Sequence, residues 1–371
     1  MAESWSWYVG IDWGSAEHHV CLIAASGEVR AAFTVAHTVA AVHEAVQRLE
    51  RETGVPAAAL AVGIETPRGA LVDTLIELGC AVFAINPKQL DRFRDRFTAA
   101  GAKDDRRDAH ALADGVRTDP RAFRRVRPDH PLVIQLRELT RVLEDLVQDE
   151  GRLTNRLREQ LYRVHAPWLT VSPAANEPWL WTLLADAPHP ERWAQLGKRR
   201  LAAVLKAHRI RRLTPEDLLD TLRQPTLTVA PGVTDAVATR LATLVPQLRL
   251  VADQRRQTEQ QMDALLEQLA DGPAESESRP HRDAQILRSL PGVGRMVSAT
   301  MLVDATAPLR ERDYSRLRAW TGVAPVTKRS GKQRIVQFRF ACDKTLRYVV
   351  DHIAYLSLPS SAWARAYYDR Q

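Results

Sequence analysis

The chain has 371 residues, 45% hydrophobic and 26% charged, a globular balance long enough for two or three domains. The net charge is +7. No apolar run approaches the eighteen or so residues of a membrane span, so no membrane partner is expected. The opening "MAESWSWYVG" lacks the basic start and apolar stretch of a secretory signal. Cys21, Cys80 and Cys342 lie far apart without metal-binding spacing, and an odd cysteine count fits a reducing cytoplasm.

In chain order, residues 6–12, 19–25 and 29–35 read as three strands, with "SGE" (26–28) as the turn between the second and third. A helix is predicted from Val39 to Arg51. "LAVGIE" (60–65) and "CAVFAI" (80–85) are buried strands flanking a helix that Pro67 opens and Gly79 stops. A three-strand meander followed by alternating helix and strand is the order of an RNase H-like α/β domain. Actin-like ATPases and sugar kinases share that order, but they require a second glycine-rich phosphate loop, which this sequence lacks.

"KDDRRDAHALADGVR" (103–117) is predicted helical. Beyond it, Leu132, Leu136, Leu139, Leu143, Leu146, Leu153, Leu157 and Leu161 recur at spacings of three, four or seven. A second run spans Leu241 to Leu269, with Arg255 and Thr258 at polar seam positions. Both runs fit either an internal helical hairpin or an intermolecular coiled coil. Between them lie a Trp- and Pro-rich patch (167–188) and a basic helix (198–212). "DGPAESESRP" (271–280) reads as a linker. The expected domains are therefore 1–127, a helical region 128–280 with an insertion, and a mainly helical region 281–371.

The first candidate site rests on a repeated pattern. "VGID" (9–12) and "VGIE" (62–65) each end an apolar strand on a carboxylate, Asp12 and Glu65. If the two strands are parallel neighbours, the acids meet at one edge, where they repel and invite a hard cation such as Mg²⁺. Asp105 and Asp108, three apart in "KDDRRD", share one helix face and can supply the further ligands a two-metal site needs. The bland alternative for Asp104, Asp105 and Asp108 is an acidic helix start favoured by the helix dipole.

The second concerns nucleic acid. Between Arg310 and Arg347 there are eleven Lys/Arg and three Asp/Glu, a local +8 that leaves the rest of the chain near −1 and points to a polyanion. "LRSLPGVGRMVSATMLVDA" (287–305) has the form of a helix-hairpin-helix, in which Gly292 and Gly294 let backbone amides approach a phosphate. It is also ordinary helix punctuation. In "TGVAPVTKRSGKQRIVQFR" (321–339), Ser330 is flanked by Lys328, Arg329, Lys332 and Arg334, with Arg339 beyond. A serine hydroxyl is a poor nucleophile alone, and cations that bind the phosphate lower its barrier. The alternative is a plain turn serine.

Together, Asp12 in "GIDWGS", Glu65 in "GIETPRG", Asp105 and Asp108 in "KDDRRDA", "PGVG", and Gly322, Pro325, Ser330 and Gly331 in "GVAPVTKRSGK" resemble the insertion-sequence 110 family of transposases. The resemblance covers about the first 125 residues and roughly 285–370. It implies a RuvC-like domain with four acidic catalytic and metal-binding residues, a coiled-coil linker, and a transposase domain with a catalytic serine. It further implies Mg²⁺ (or Mn²⁺) as cofactor, and donor DNA, target DNA and a structured guide RNA as partners. A homodimer would assemble into a synaptic tetramer that joins DNA through a phosphoserine, nucleoid-associated when bound. Asp104 stands where the family has a small hydroxyl residue and is expected to point outward. Two other readings stay open: a RuvC-like nuclease or invertase working without RNA, and a nucleic-acid-binding remnant that no longer cuts.

Overall fold

The computed structural model describes residues 5–94, 96, 104–127, 129–271, 279–331 and 333–371. The chain divides into two units, Met1–Asp129 and His130–Gln371. It is mixed α/β, with the main sheet in the first unit and a helical second unit.

The first unit carries strands β1 (Trp7–Asp12), β2 (Glu17–Ala24), β3 (Val29–Ala36), β4 (Leu60–Ile64), β5 (Ala81–Ala84) and β6 (Arg124–Arg125). They lie in the order β3-β2-β1-β4-β5-β6. The meander β1–β3 is antiparallel, and β1, β4 and β5 are parallel. This is the RNase H-like order expected from the sequence. Helices α1 (Val39–Thr53) and α2 (Ala70–Glu77) link the strands, followed by α3 (Pro87–Arg94) and α4 (Asp105–Thr118). Thr38 caps α1 by accepting the Ala41 N–H, and Gly54 closes it in the left-handed conformation at φ 69°.

Strand residues alternate between two apolar layers. Val9, Ile11, Val62 and Ile64 pack with Val42, Val46 and Leu49 of α1 and Leu71 and Leu75 of α2. Tyr8, Ala61, Ala81 and Phe83 face Ala109, Leu112 and Val116 of α4. A parallel strand covered on both faces reads as a continuous apolar run, which is why "LAVGI" is buried throughout. Cys21 and Cys80 sit inside these layers, where burial pushes their thiols up to about 11 and about 12, too high for nucleophiles at neutral pH.

The second unit is built on two long helices, α5 (Pro131–His165) and, after α6 (Trp168–Val171), α7 (Pro178–Asp186), α8 (Lys198–Ala207) and α9 (Pro215–Leu222), α10 (Val233–Ala270). The start of α5 (Val133, Leu136, Leu143) packs with the end of α10 (Met262, Leu265, Leu269). The end of α5 (Leu157, Leu161) packs with the start of α10 (Leu241, Leu248). The two leucine runs thus form an antiparallel hairpin within one chain. The polar seam position Arg255 meets Glu150 of α5 at 3.1 Å, a partly buried pair of the kind that sets helix register.

Residues 166–222 form a helical cap on the hairpin. Trp168, Trp179, Trp181 and Trp193 are each 1% exposed or less. Trp181 and Trp193 donate their indole N–H to the carbonyls of Ala175 and Ala187, so a Trp- and Pro-rich stretch without repeat pattern makes a packed core. The basic helix expected over 198–212 stops at Ala207, and Arg209 adopts φ 56°.

Helices α11 (Arg279–Ser289), α12 (Arg295–Asp304), α13 (Thr306–Glu311), α14 (Tyr314–Trp320), α15 (Lys344–Ser360) and α16 (Ala362–Tyr368) complete the unit. Ala299, Leu302, Leu346 and Val349 share a core with the start of α5 and the end of α10. Strands β7 (Val326–Ser330) and β8 (Gln333–Gln337) form an antiparallel hairpin in a segment expected to be mainly helical. Most of the expected linker 271–280 lies outside the described residues.

Candidate active site

In β1 and β4 the pairs Gly10–Gly63 and Ile11–Ile64 stand in register. The next residue on each strand is the acid, so Asp12 and Glu65 are neighbours at the same sheet edge. The two glycines decide what lies above them. A Cβ on Gly10 would stand 1.8 Å from the Ala109 carbonyl oxygen, and one on Gly63 would stand 2.6 Å from that of Leu112. The backbone of α4 therefore rests directly on the glycine pair, and its first turn reaches the edge where the strand acids sit. Gly10→Ala is expected to lift α4 and destabilise the unit by about 3 kcal/mol, the upper range for overpacking a well-packed core, as measured by chemical denaturation.

Asp105 begins α4, and its carboxylate stands 3.6 Å from Nε2 of His19, the residue paired with Asp12 across β1 and β2. Asp108, one turn on, is 2% exposed. It accepts two hydrogen bonds from Nη1 of Arg94, at 2.9 and 2.8 Å, and the same guanidinium pairs with Asp91. Asp104 is exposed and caps α4 by accepting the Arg106 N–H. Its short acidic side chain thus has a helix-capping reason of its own.

Asp12, Glu65, Asp105 and Asp108 are all hard oxygen donors, the chemistry that suits a divalent ion. Side-chain placement goes less far than backbone placement. Among the described residues, no three His, Cys, Asp or Glu side chains are gathered closely enough to hold an ion. Arg94 supplies the positive charge at Asp108 instead.

The loop after Asp12 has its own support, which sequence reasoning missed. The Gly14 N–H donates to Nδ1 of His18 at 3.3 Å, and Nε2 of His18 stands 2.9 Å from Nδ1 of His37. His18 is 1% exposed; burial, then the neighbouring His37, hold its pKa below the usual imidazole value. A neutral His18 with its proton on Nε2 satisfies both contacts. The only signal in the sequence is "HH" (18–19), whose second member the register sets opposite Asp12.

Ser330 ends β7 at the hairpin tip, opposite Gln333, and Gly331 turns the chain at φ 55°. Ser330, Lys328, Arg329 and Arg334 are exposed. Arg339 donates from Nε to the Ala324 carbonyl at 2.9 Å and so closes the hairpin root. Lys332 lies outside the described residues. The hairpin was legible in "VTKRSGKQRIV", a glycine turn between β-branched runs.

Gly292 adopts φ 80°, and a Cβ there would meet the backbone of α15, 2.7 Å from the Ser357 nitrogen and 2.9 Å from the Ile353 oxygen. Close packing against α15 accounts for this glycine. Gly294 caps α12 and has open space beside it. Among the described residues no helix is long and apolar enough to cross a membrane.

Residues 9–166 match the model of the DEDD-type IS110 transposases, described as "Transposase". Residues 284–369 match the one described as "Transposase IS116/IS110/IS902 family". A Sinorhizobium fredii protein, y4uE, whose name proposes a transposase, is 45% identical over 206 residues, 55% of this chain and 57% of that relative. A Streptomyces coelicolor protein, whose name proposes a transposase for the IS117 mini-circle, is 29% identical over 98% of this chain and 87% of its own length. The 43.6 kDa protein of insertion element IS110 from the same organism is 29% identical over 82% of this chain and 72% of its own.

Proposed function

The chain belongs to the IS110 family of transposases, and from that premise we propose that it cuts and rejoins DNA through a phosphoserine formed on Ser330. Asp12, Glu65, Asp105 and Asp108 serve as the acidic half of the site. The observation that carries this reading is the glycine pair Gly10 and Gly63, which seats α4 on the sheet and brings its acidic first turn to the edge that bears Asp12 and Glu65. The exposed serine at the tip of a basic hairpin supports the other half.

In the first step the Ser330 oxygen bonds to phosphorus while one bridging P–O bond breaks. The serine proton passes to a base, and the departing deoxyribose oxygen takes up a proton. Lys328, Arg329 and Arg334 offset the phosphate charge and hold the strand. The covalent ester retains the energy of the broken phosphodiester, so a hydroxyl of another strand reverses the step without ATP. A divalent ion on the acids, when bound, polarises the scissile phosphate. Arg94 must release Asp108 before that carboxylate takes part.

We further propose a structured RNA from the mobile element as guide, with the serine of one subunit acting beside the acids of another in a synaptic tetramer. Expression of the full chain together with its flanking DNA tests the guide. A discrete flanking transcript is expected to co-purify and to be required for cutting. Cutting at full rate after RNase treatment would instead favour a RuvC-like nuclease or invertase that needs no RNA.

A further inference from the structure

The hairpin that carries Ser330 has little burial of its own. Every residue of β7 and β8 except Val326 is exposed, and a two-stranded hairpin alone is marginal in water. Its direction must therefore be set at its root. The tip stands five residues from the root, roughly 16 Å at about 3.3 Å per residue, so a rotation of ~10° at the root moves the serine by ~3 Å.

One side chain reaches most of that root. Arg347 lies on α15, whose neighbours Leu346 and Val349 are buried and whose start is tied to α14 by the Asp343 N–H donating to the Trp320 carbonyl at 2.8 Å. The Arg347 guanidinium donates from Nε to the Thr321 carbonyl at 3.3 Å and from Nη2 to the Arg339 carbonyl. It also lies over the Phe338 ring, 4.2 Å from the centroid. Gly322 makes the room: its φ is 73°, and a Cβ there would stand 1.8 Å from Nη2 of Arg347. A planar cation with several donors does what a lysine cannot, bonding two carbonyls while stacking on a ring.

We propose that Arg347 is a positioning residue: it locks the root of the β7–β8 hairpin to α15 and so aims Ser330 at the scissile phosphate. This rests on the reading of Ser330 as nucleophile. It assigns Arg347 no contact with DNA, although the residue belongs to the basic segment.

The test uses the full chain with Arg347→Met, which keeps the stem and loses the donors, and Arg347→Lys, which keeps the charge. Amide hydrogen exchange over 326–337 is expected to rise about tenfold in both variants, because the hairpin opens more often without its lock. The maximal rate of forming the covalent protein–DNA adduct should fall about 100-fold, the cost of an ångström-scale misplacement. Half-saturation by DNA should stay within about twofold, and Lys should recover little. A residue that only stabilised the fold would not produce this split between rate and half-saturation. Should Arg347→Met fail to fold, Phe338→Leu, which removes only the ring beneath the guanidinium, is expected to show a smaller change in the same direction.

Unchanged exchange in 326–337 overturns the lock. Raised exchange with an unchanged adduct rate overturns the aiming role, as does a loss confined to DNA half-saturation. If the wild type forms no serine adduct while exchange rises in the variants, the nucleophile reading fails and the lock stands.

Discussion

Asp12→Asn is expected to lower metal-dependent strand cleavage by at least about 1000-fold while leaving DNA binding within about twofold. Asparagine keeps the shape of aspartate and removes the charge, so the substitution separates chemistry from packing. At the sheet edge Asp12 and Glu65 are neighbours on parallel strands. Two adjacent carboxylates repel, and a cation is what makes their proximity favourable. Removing one is expected to cost electrostatic stabilisation of the reacting phosphate. Thermal unfolding, DNA binding and cleavage measured together decide the matter. Cleavage near the wild-type rate would reject Asp12 as part of the site. A loss of folding with proportionate loss of activity would assign it to the architecture of the strand end.

Ser330→Ala is expected to abolish the covalent protein–DNA species on denaturing gels and to cost less than about 0.5 kcal/mol of stability, since the side chain is exposed on a hairpin. The same variant separates recombination from hydrolysis. An enzyme that activates water would still nick at the wild-type rate without the hydroxyl. The proposed division between subunits adds a sharper arm. Equal amounts of Ser330→Ala and Asp12→Asn protein, each inactive alone, are expected to regain up to about a quarter of the activity in mixed assemblies. Full recovery is not expected, because in a random dimer half the molecules carry one lesion on each chain and only one of their two composite sites is intact. No recovery would place serine and acids of one subunit together.

Much of this architecture is written in local patterns. The meander, the buried parallel strands and the two leucine runs follow from period-2, continuous and period-3.6 apolar spacing, and the strand ends on Asp12 and Glu65 mark the candidate site. Three features escaped such reasoning for physical reasons. Gly10 and Gly63 look like ordinary strand residues, and only the approach of a helix backbone shows why a side chain is excluded there. Arg94 and His18 act through partners 14 and 19 residues away, and nothing local ties those pairs together. Gly292, which reads as a phosphate-binding turn, packs against a helix about 60 residues later in the chain.

What the amino-acid order determined by itself is the strands and helices of the first unit, the two leucine-bearing helices, the family, and which acidic, basic and hydroxyl residues stand at strand ends, helix starts and turns, because those depend on neighbours within a turn or a strand. What tertiary structure decided is how those residues are used. It set the leucine runs against each other within one chain, joined the root of the serine-bearing hairpin to α15 through Arg347, and gave Asp108 a guanidinium partner. Such outcomes depend on which distant surfaces come into contact, and packing and charge pairing across long separations are not encoded in any local spacing.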